Sequence, residues 1–167
     1  TIQLVVALKP LHERFHLKSV TVATYQSVSG AGKAGVDELL AQTKAHLDGK
    51  ELTPTAFAHN IAFNNLPHID VFDDTGFTAE ERKVVNETRK ILELPQLDVS
   101  CHAVRTPTLN GHSEAVWVEL EQTATKEDIL SALKAAPGLV VQDNPADKTY
   151  PQNRKASGQD PVYVGRI

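Results

Sequence analysis

Apolar residues at Ile2, Val5, Val6, Leu8 and Leu11 recur at helical spacing, and Pro10 is expected to kink or end that helix before Phe15. From Leu17 to Val28 the period becomes two. Val20, Val22 and Thr24 share one face and Thr21, Ala23 and Tyr25 the other, which predicts a strand. Ser29-Gly30-Ala31-Gly32 interrupts it, and Val36, Leu39, Leu40 and Thr43 then form the stripe of an amphipathic helix closed at Asp48-Gly49. Residues 51 to 75 carry prolines at 54 and 67 and weak periodicity, which predicts irregular structure with one short strand near Ile61.

Thr78-Ala-Glu-Glu81 is a capping box, in which hydroxyl and carboxylate each satisfy the other's backbone amide. The helix it opens would bury Val84, Val85, Thr88, Ile91 and Leu92 and stop at Pro95. Leu97, Val99, Cys101 and Ala103 alternate as a strand with Arg105 at its far end. After Pro107 and Asn110-Gly111, Val116, Val118 and Leu120 alternate as its expected antiparallel partner. Thr125-Lys-Glu-Asp128 opens a further helix, with Ile129, Leu130 and Leu133 inward and Pro137-Gly138 as the stop. Leu139 to Val141 and residues 161 to 167 complete the strands, and the polar stretch 143 to 160 between them predicts a surface excursion. This order predicts one α+β domain over residues 1–167, with a mixed, largely antiparallel sheet and helices on one face. The strand Leu17 to Val28 has apolar or small residues on both sides, so its outer face is expected to be covered by another domain or subunit, a homodimer being the simplest case.

Composition narrows the function. A net charge of −4 with 17 scattered Lys and Arg residues gives no general attraction to nucleic acid or anionic lipid. The longest apolar runs fall far short of the roughly 20 residues that span a bilayer. A single cysteine excludes an internal disulfide and favours a cytoplasmic location. Cys101 shares parity with Leu97 and Val99 and reads as a core residue, not a nucleophile. The seven histidines show no paired metal spacing, so no metal is expected.

Candidate chemistry is sparse. Arg105 and His112 close one strand and precede the next, so one rim of a sheet could carry both: an arginine fork for a carboxylate and an imidazole that moves protons near neutral pH. Such residues also commonly fix loops. Glu87 and Lys90 lie three apart on one helix, the spacing of a solvated ion pair. Tyr25 to Gly32 places small residues between strand and helix, where backbone amides can hold anions, although it is neither a Walker loop nor a full dinucleotide fingerprint.

These segments resemble a known family. Thr1-Ile-Gln-Leu, Thr24-Tyr-Gln-Ser-Val-Ser-Gly-Ala-Gly32, Glu80 to Leu92, Val104-Arg-Thr-Pro107, Gly111-His-Ser113 and Asp160 to Ile167 look, in order and from end to end, like aspartate-semialdehyde dehydrogenase. The part resembled is its C-terminal catalytic and dimerisation domain, whose fold is like the second domain of glyceraldehyde-3-phosphate dehydrogenase. The resemblance implies NADPH-dependent reductive dephosphorylation of aspartyl-4-phosphate to aspartate semialdehyde and phosphate through a cysteine thioester. It implies a homodimer, with a tetramer as the alternative. Carried over by motif, His112 would be the acid/base and Gln26 would position substrate beside the nucleophile. Arg105 would hold the α-carboxylate, Glu87 would meet the amino group and Lys90 the phosphate. Ser29 and Gly30 would touch NADP, most of which would be bound by an N-terminal domain. Ser27 stands where Ala is common and Thr106 where Val is common, and neither change threatens a named role.

The chain opens on an apolar helical pattern and contains no Met, as expected of a piece of a longer protein. In the family resembled, an Asn-Cys-Ser/Thr motif would place the nucleophile two residues before Thr1, at a helix amino end that favours thiolate. The isolated chain is accordingly expected to fold, at least as a dimer, and to catalyse nothing. Three alternatives stand beside this reading: a reductase of N-acetylglutamyl phosphate, a cysteine-less dimerising paralogue, and a plain interaction module.

Overall fold

The structure is a computed structural model describing residues 1–167. The chain forms two compact units, one of Thr1–Val22, Arg82–Cys101 and Val116–Ile167, the other of Ala23–Glu81 and His102–Ala115. Its elements are α1 (Ile2–Phe15), β1 (Leu17–Gln26), a 3-10 helix (Val28–Ala31), α2 (Gly32–Leu47), α3 (Ala79–Ile91), β2 (Asp98–Arg105), β3 (Ser113–Leu120), α4 (Lys126–Ala135), β4 (Leu139–Val141), α5 (Asn153–Ala156) and β5 (Val162–Val164). The α+β class and mixed sheet expected from the pattern are present. No helix is long and apolar enough to cross a membrane.

The sheet order is β2-β1-β3, with β4 and β5 forming a separate parallel pair. The expected β2–β3 hairpin is therefore not formed, because β1 lies between the two strands. Within the first unit, Glu121 N–H donates to His16 O and Lys18 pairs with Glu119, so β3 runs antiparallel to β1. Within the second, Val104 N–H donates to Thr24 Oγ1 and Thr106 N–H to Gln26 O, so β2 runs parallel to β1. Strands two places apart in a sheet are separated by about 9.5 Å, a gap that the connection from residue 106 to 112 bridges easily. Antiparallel direction was legible from the short connection; the strand between was not.

In the first unit, α1 runs through Pro10 without ending, although the proline forfeits one hydrogen bond. Its Leu4, Val5 and Leu8 pack with Leu17, Val20 and Val22 of β1, Val84 and Leu92 around α3, and Leu97, Val99 and Cys101. Cys101 is a buried core residue, as its parity predicts. Ile91, expected inward, is half-exposed. A second cluster joins Leu11 and Phe15 of α1 to Ala132 and Leu133 of α4 and to Leu139, Val141 and Val164 of the β4–β5 pair. Thr125 and Asp128 complete a reciprocal cap on α4.

The second unit has its own core of Val28, Leu39, Ile61 and Leu66. The stripe expected on α2 is rotated: Leu40 is exposed, and Gly35, Glu38, Leu39, Gln42 and Ala45 face inward. The reason is the irregular segment that α2 supports. Glu38 accepts from Thr55 N–H, Thr55 Oγ1 and Ala56 N–H, and Gln42 Oε1 accepts from Ile61 and Ala62 N–H, so the two polar side chains replace a missing strand partner. No strand forms at Ile61. Pairing occurs instead at Leu66, which bridges Arg105 in antiparallel register.

Candidate functional site

The second unit gathers polar groups where β1 and β2 end. After Arg105 the chain crosses the end of β1: Val28 N–H donates to Thr108 O, and Ser27 N–H donates to His112 Nδ1 at 3.1 Å. This crossing brings Arg105 and His112 together from opposite sides of β1. Gly30 marks their meeting place. A Cβ built there would sit 2.8 Å from Arg105 Nη1 and 3.4 Å from His112 Cε1, so only glycine leaves guanidinium and imidazole so close to the backbone. Gly35 serves a related end, since a Cβ there would strike Val28 O at 2.6 Å and prevent α2 from packing against the 3-10 helix.

Arg105 is 7% exposed and donates from Nη1 to Ser27 O at 2.7 Å. Its guanidinium stacks over Phe57 at 5.9 Å and lines a cavity of about 270 Å³ shared with Phe57, His59, Leu66, His68 and Asp70. Burial pulls its pKa down from the ordinary arginine value while the nearby Glu80 carboxylate pushes it up. Arginine nevertheless stays charged at neutral pH, and the fixed fork is suited to a planar anion.

Gln26 is buried with its amide oriented at both ends. Oε1 accepts from Thr24 Oγ1 at 2.9 Å, and Nε2 donates to Glu80 Oε1 at 3.1 Å. Since Nε2 carries two protons, one further N–H remains for donation. Ser27, completely buried, places its hydroxyl 3.0 Å from His112 Nδ1 and 2.9 Å from Ser29 Oγ, and Ser29 Oγ donates to Asn110 Oδ1. His112 itself is exposed.

Of the residues expected from the sequence, Gln26, Ser29, Gly30, Arg105 and His112 thus form one cluster. Glu87, half-buried, and Lys90, exposed, lie on the part of α3 that belongs to the first unit. Sequence reading missed Glu80 as the partner of Gln26, Phe57 as the platform for Arg105, and Ser27 as a contact of His112. None of the three left a signal in the sequence, since Ser27 stands among other polar residues, Gln26 and Ser29.

The sequence profile described as "Semialdehyde dehydrogenase, dimerisation domain" matches residues 8–167. The chain belongs to that family. Aspartate-semialdehyde dehydrogenase of Aquifex aeolicus is 49% identical over 168 residues, covering 100% of this chain and 49% of that protein. The enzyme of that name from Bacillus subtilis is 46% identical over 175 residues, covering 100% of this chain and 51% of that protein. Among solved structures, aspartate semialdehyde dehydrogenase II from Vibrio cholerae superposes with a TM-score of 0.96 at 43% identity over all of this chain and 49% of that one. This semialdehyde dehydrogenase domain therefore spans about half the length of the relatives it matches. A dimerisation domain implies self-association.

Proposed function

We propose that this domain is the substrate-holding, self-associating half of an aspartate-semialdehyde dehydrogenase, the oxidoreductase that converts aspartyl-4-phosphate, NADPH and a proton to aspartate semialdehyde, phosphate and NADP. The observation that carries the reading is the convergence of Arg105 and His112 on Gly30, with Gln26 oriented beside them. A fixed guanidinium and a proton-carrying imidazole suit an amino-acid acyl phosphate, which needs its carboxylate held and its acyl carbon served by an acid/base.

In this reading Arg105 binds the α-carboxylate bidentately through N–H groups other than the one bonded to Ser27 O. Gln26 donates its remaining N–H to the bound acyl group. His112 takes the proton of the attacking thiol and returns it to the departing sulfur when the last tetrahedral intermediate collapses to the aldehyde. Glu87 is assigned the substrate ammonium and Lys90 the phosphate, on the strength of the family resemblance. The nucleophile and most of the dinucleotide site belong to the half of the relatives' length that this chain does not span, so the domain alone is inactive.

NADP fits the small residues that follow β1. Gly30, Ala31 and Gly32 are exposed, and a Cβ on Gly32 would meet nothing within 4 Å, leaving an open shelf on which a flat ring can rest beside Ser29. When bound, NADP exchanges the hydride with the acyl carbon.

The test is turnover by the complete gene product, measured as NADP reduction with aspartate semialdehyde and phosphate and compared with N-acetylglutamate semialdehyde. Preference for the free amino acid supports the reading. Preference for the acetylated substrate, or no turnover with either, overturns it.

A further inference from the structure

One carboxylate of the Thr78-Ala-Glu-Glu81 motif is not consumed by the helix cap. Glu81 uses both oxygens, one on Thr78 N–H and one on Ala103 N–H, and so ties the first turn of α3 to β2. Its neighbour Glu80 faces the end of β1, where its Oε1 accepts from Gln26 Nε2 at 3.1 Å. Thr24 and Gln26 lie two apart on β1 and share a face. The Gln26 amide therefore sits between two neighbours, the Thr24 hydroxyl at 2.9 Å and the Glu80 carboxylate at 3.1 Å.

The two neighbours differ in what they demand. A hydroxyl both donates and accepts, so Thr24 Oγ1, which also accepts from Val104 N–H at 3.4 Å, can meet either end of the amide. A carboxylate in the first turn of a helix, where the dipole favours negative charge, offers lone pairs only. Turned over, Gln26 would set its carbonyl oxygen against Glu80 at hydrogen-bond distance, two acceptors with no proton between them. Of the two neighbours, Glu80 thus decides which end of the amide lies on its side, and it selects the NH2.

From this geometry we propose that Glu80 is a positioning residue for the reaction: it keeps the Gln26 NH2, and not the carbonyl, turned to the bound acyl group. The inference rests on the role given to Gln26 above and deepens it. With one N–H fixed on Glu80, the planar amide sends the second in a set direction, to the acyl oxygen, where negative charge gathers in the tetrahedral states. Turned over, the amide would offer that oxygen a lone pair. Glu80 itself touches no reacting atom and exchanges no proton.

Glu80 also interacts with the charge of Arg105. Replacing it therefore acts on two groups, and a double-mutant cycle separates them. An effect carried by Gln26 vanishes once Gln26 is absent, whereas an effect carried by Arg105 or by folding persists.

The experiment is steady-state turnover of aspartate semialdehyde by the complete protein, with phosphate and NADP, in wild type, Glu80→Met, Glu80→Gln, Gln26→Ala and the two double variants, with thermal unfolding alongside. Glu80→Met, similar in length but without an oxygen acceptor, lowers kcat about tenfold, the scale of one hydrogen bond to a charged group, and leaves KM within about twofold. Glu80→Gln, whose amide accommodates either end of Gln26, loses about threefold. In the slower Gln26→Ala background, either change moves kcat by less than about 1.5-fold. An equal loss with and without Gln26, or no loss in Glu80→Met, overturns the proposal. If Glu80→Met fails to fold, an equal loss in Glu80→Gln with and without Gln26, or no loss in it, overturns it instead. A wild-type protein that does not turn over aspartate semialdehyde overturns the reading of the site and this proposal with it; an active wild type with an additive cycle overturns the proposal alone.

Discussion

Replacing Glu81 by alanine isolates the contribution of one buried carboxylate to the second unit. Its Oε2 accepts from Thr78 N–H at 2.8 Å, closing the cap of α3, and its Oε1 accepts from Ala103 N–H at 3.0 Å, inside β2. Thr78 and Ala103 are both fully buried, so neither amide finds water when the side chain is lost. An unsatisfied buried donor costs about 1–3 kcal/mol, which puts Glu81→Ala at about 4 kcal/mol for the two. For a chain of this size that corresponds to a melting temperature lower by roughly 8–16 °C. Glu81→Gln keeps one acceptor and turns an NH2 toward the other amide, so it should lose about half as much. The exposed His102, 3.4 Å from Oε1, is a minor partner, and His102→Ala should cost under about 0.5 kcal/mol. Thermal or urea unfolding at one fixed protein concentration measures all three, with concentration held constant because self-association adds to apparent stability. A loss below about 1 kcal/mol in Glu81→Ala would refute the claim that this carboxylate joins helix cap to strand.

Three further outcomes follow from the same structure. Gly30→Ala puts a methyl 2.8 Å from Arg105 Nη1, so the complete protein should show KM for aspartate semialdehyde raised about tenfold or more with folding little changed, measured by steady-state kinetics and thermal unfolding. Burial raises the Glu38 pKa, but hydrogen bonds from Ala56, Thr55 and Gln42 outweigh it and hold the group below the ordinary 4.5. The stability it contributes is therefore present above that value and lost as pH falls through the lowered folded value. The unfolding free-energy difference between wild type and Glu38→Gln should be widest near neutral pH and shrink below about pH 4.5. Trp117, the sole tryptophan, is 65% exposed on β3, so Trp117→Glu should raise the dissociation constant for self-association at least about tenfold, read by analytical ultracentrifugation.

What the sequence made legible was whatever depends on near neighbours. Thr78 with Glu81, and Thr125 with Asp128, are patterns of four consecutive residues and stand as capping boxes. The parity of Val99, Cys101 and Ala103 correctly placed Cys101 in the core. Partner choice is a long-range property, and there the pattern failed: β1 carries Val20, Val22 and Thr24 inward whether it lies at an edge or between β2 and β3. The α2 stripe was misread for a related reason. Glu38 and Gln42 look solvent-facing by type, yet they are buried because they accept from the backbone amides of Thr55, Ala56, Ile61 and Ala62. Within the site, Arg105 and His112 could be paired in advance because both flank one connection. Glu80 and Phe57 reach the cluster only through tertiary contact, and no spacing announces them.

The central claim is that Arg105, fixed against Ser27 and Gly30, holds the substrate carboxylate, and the most direct measurement is the steady-state kinetics of Arg105→Leu in the complete protein. The account expects kcat/KM for aspartate semialdehyde to fall by at least about a hundredfold, through loss of a charge-assisted pair at a buried site, while the KM for NADP stays within about twofold. A variant that folds and turns over aspartate semialdehyde with kcat/KM near the wild-type value would contradict it.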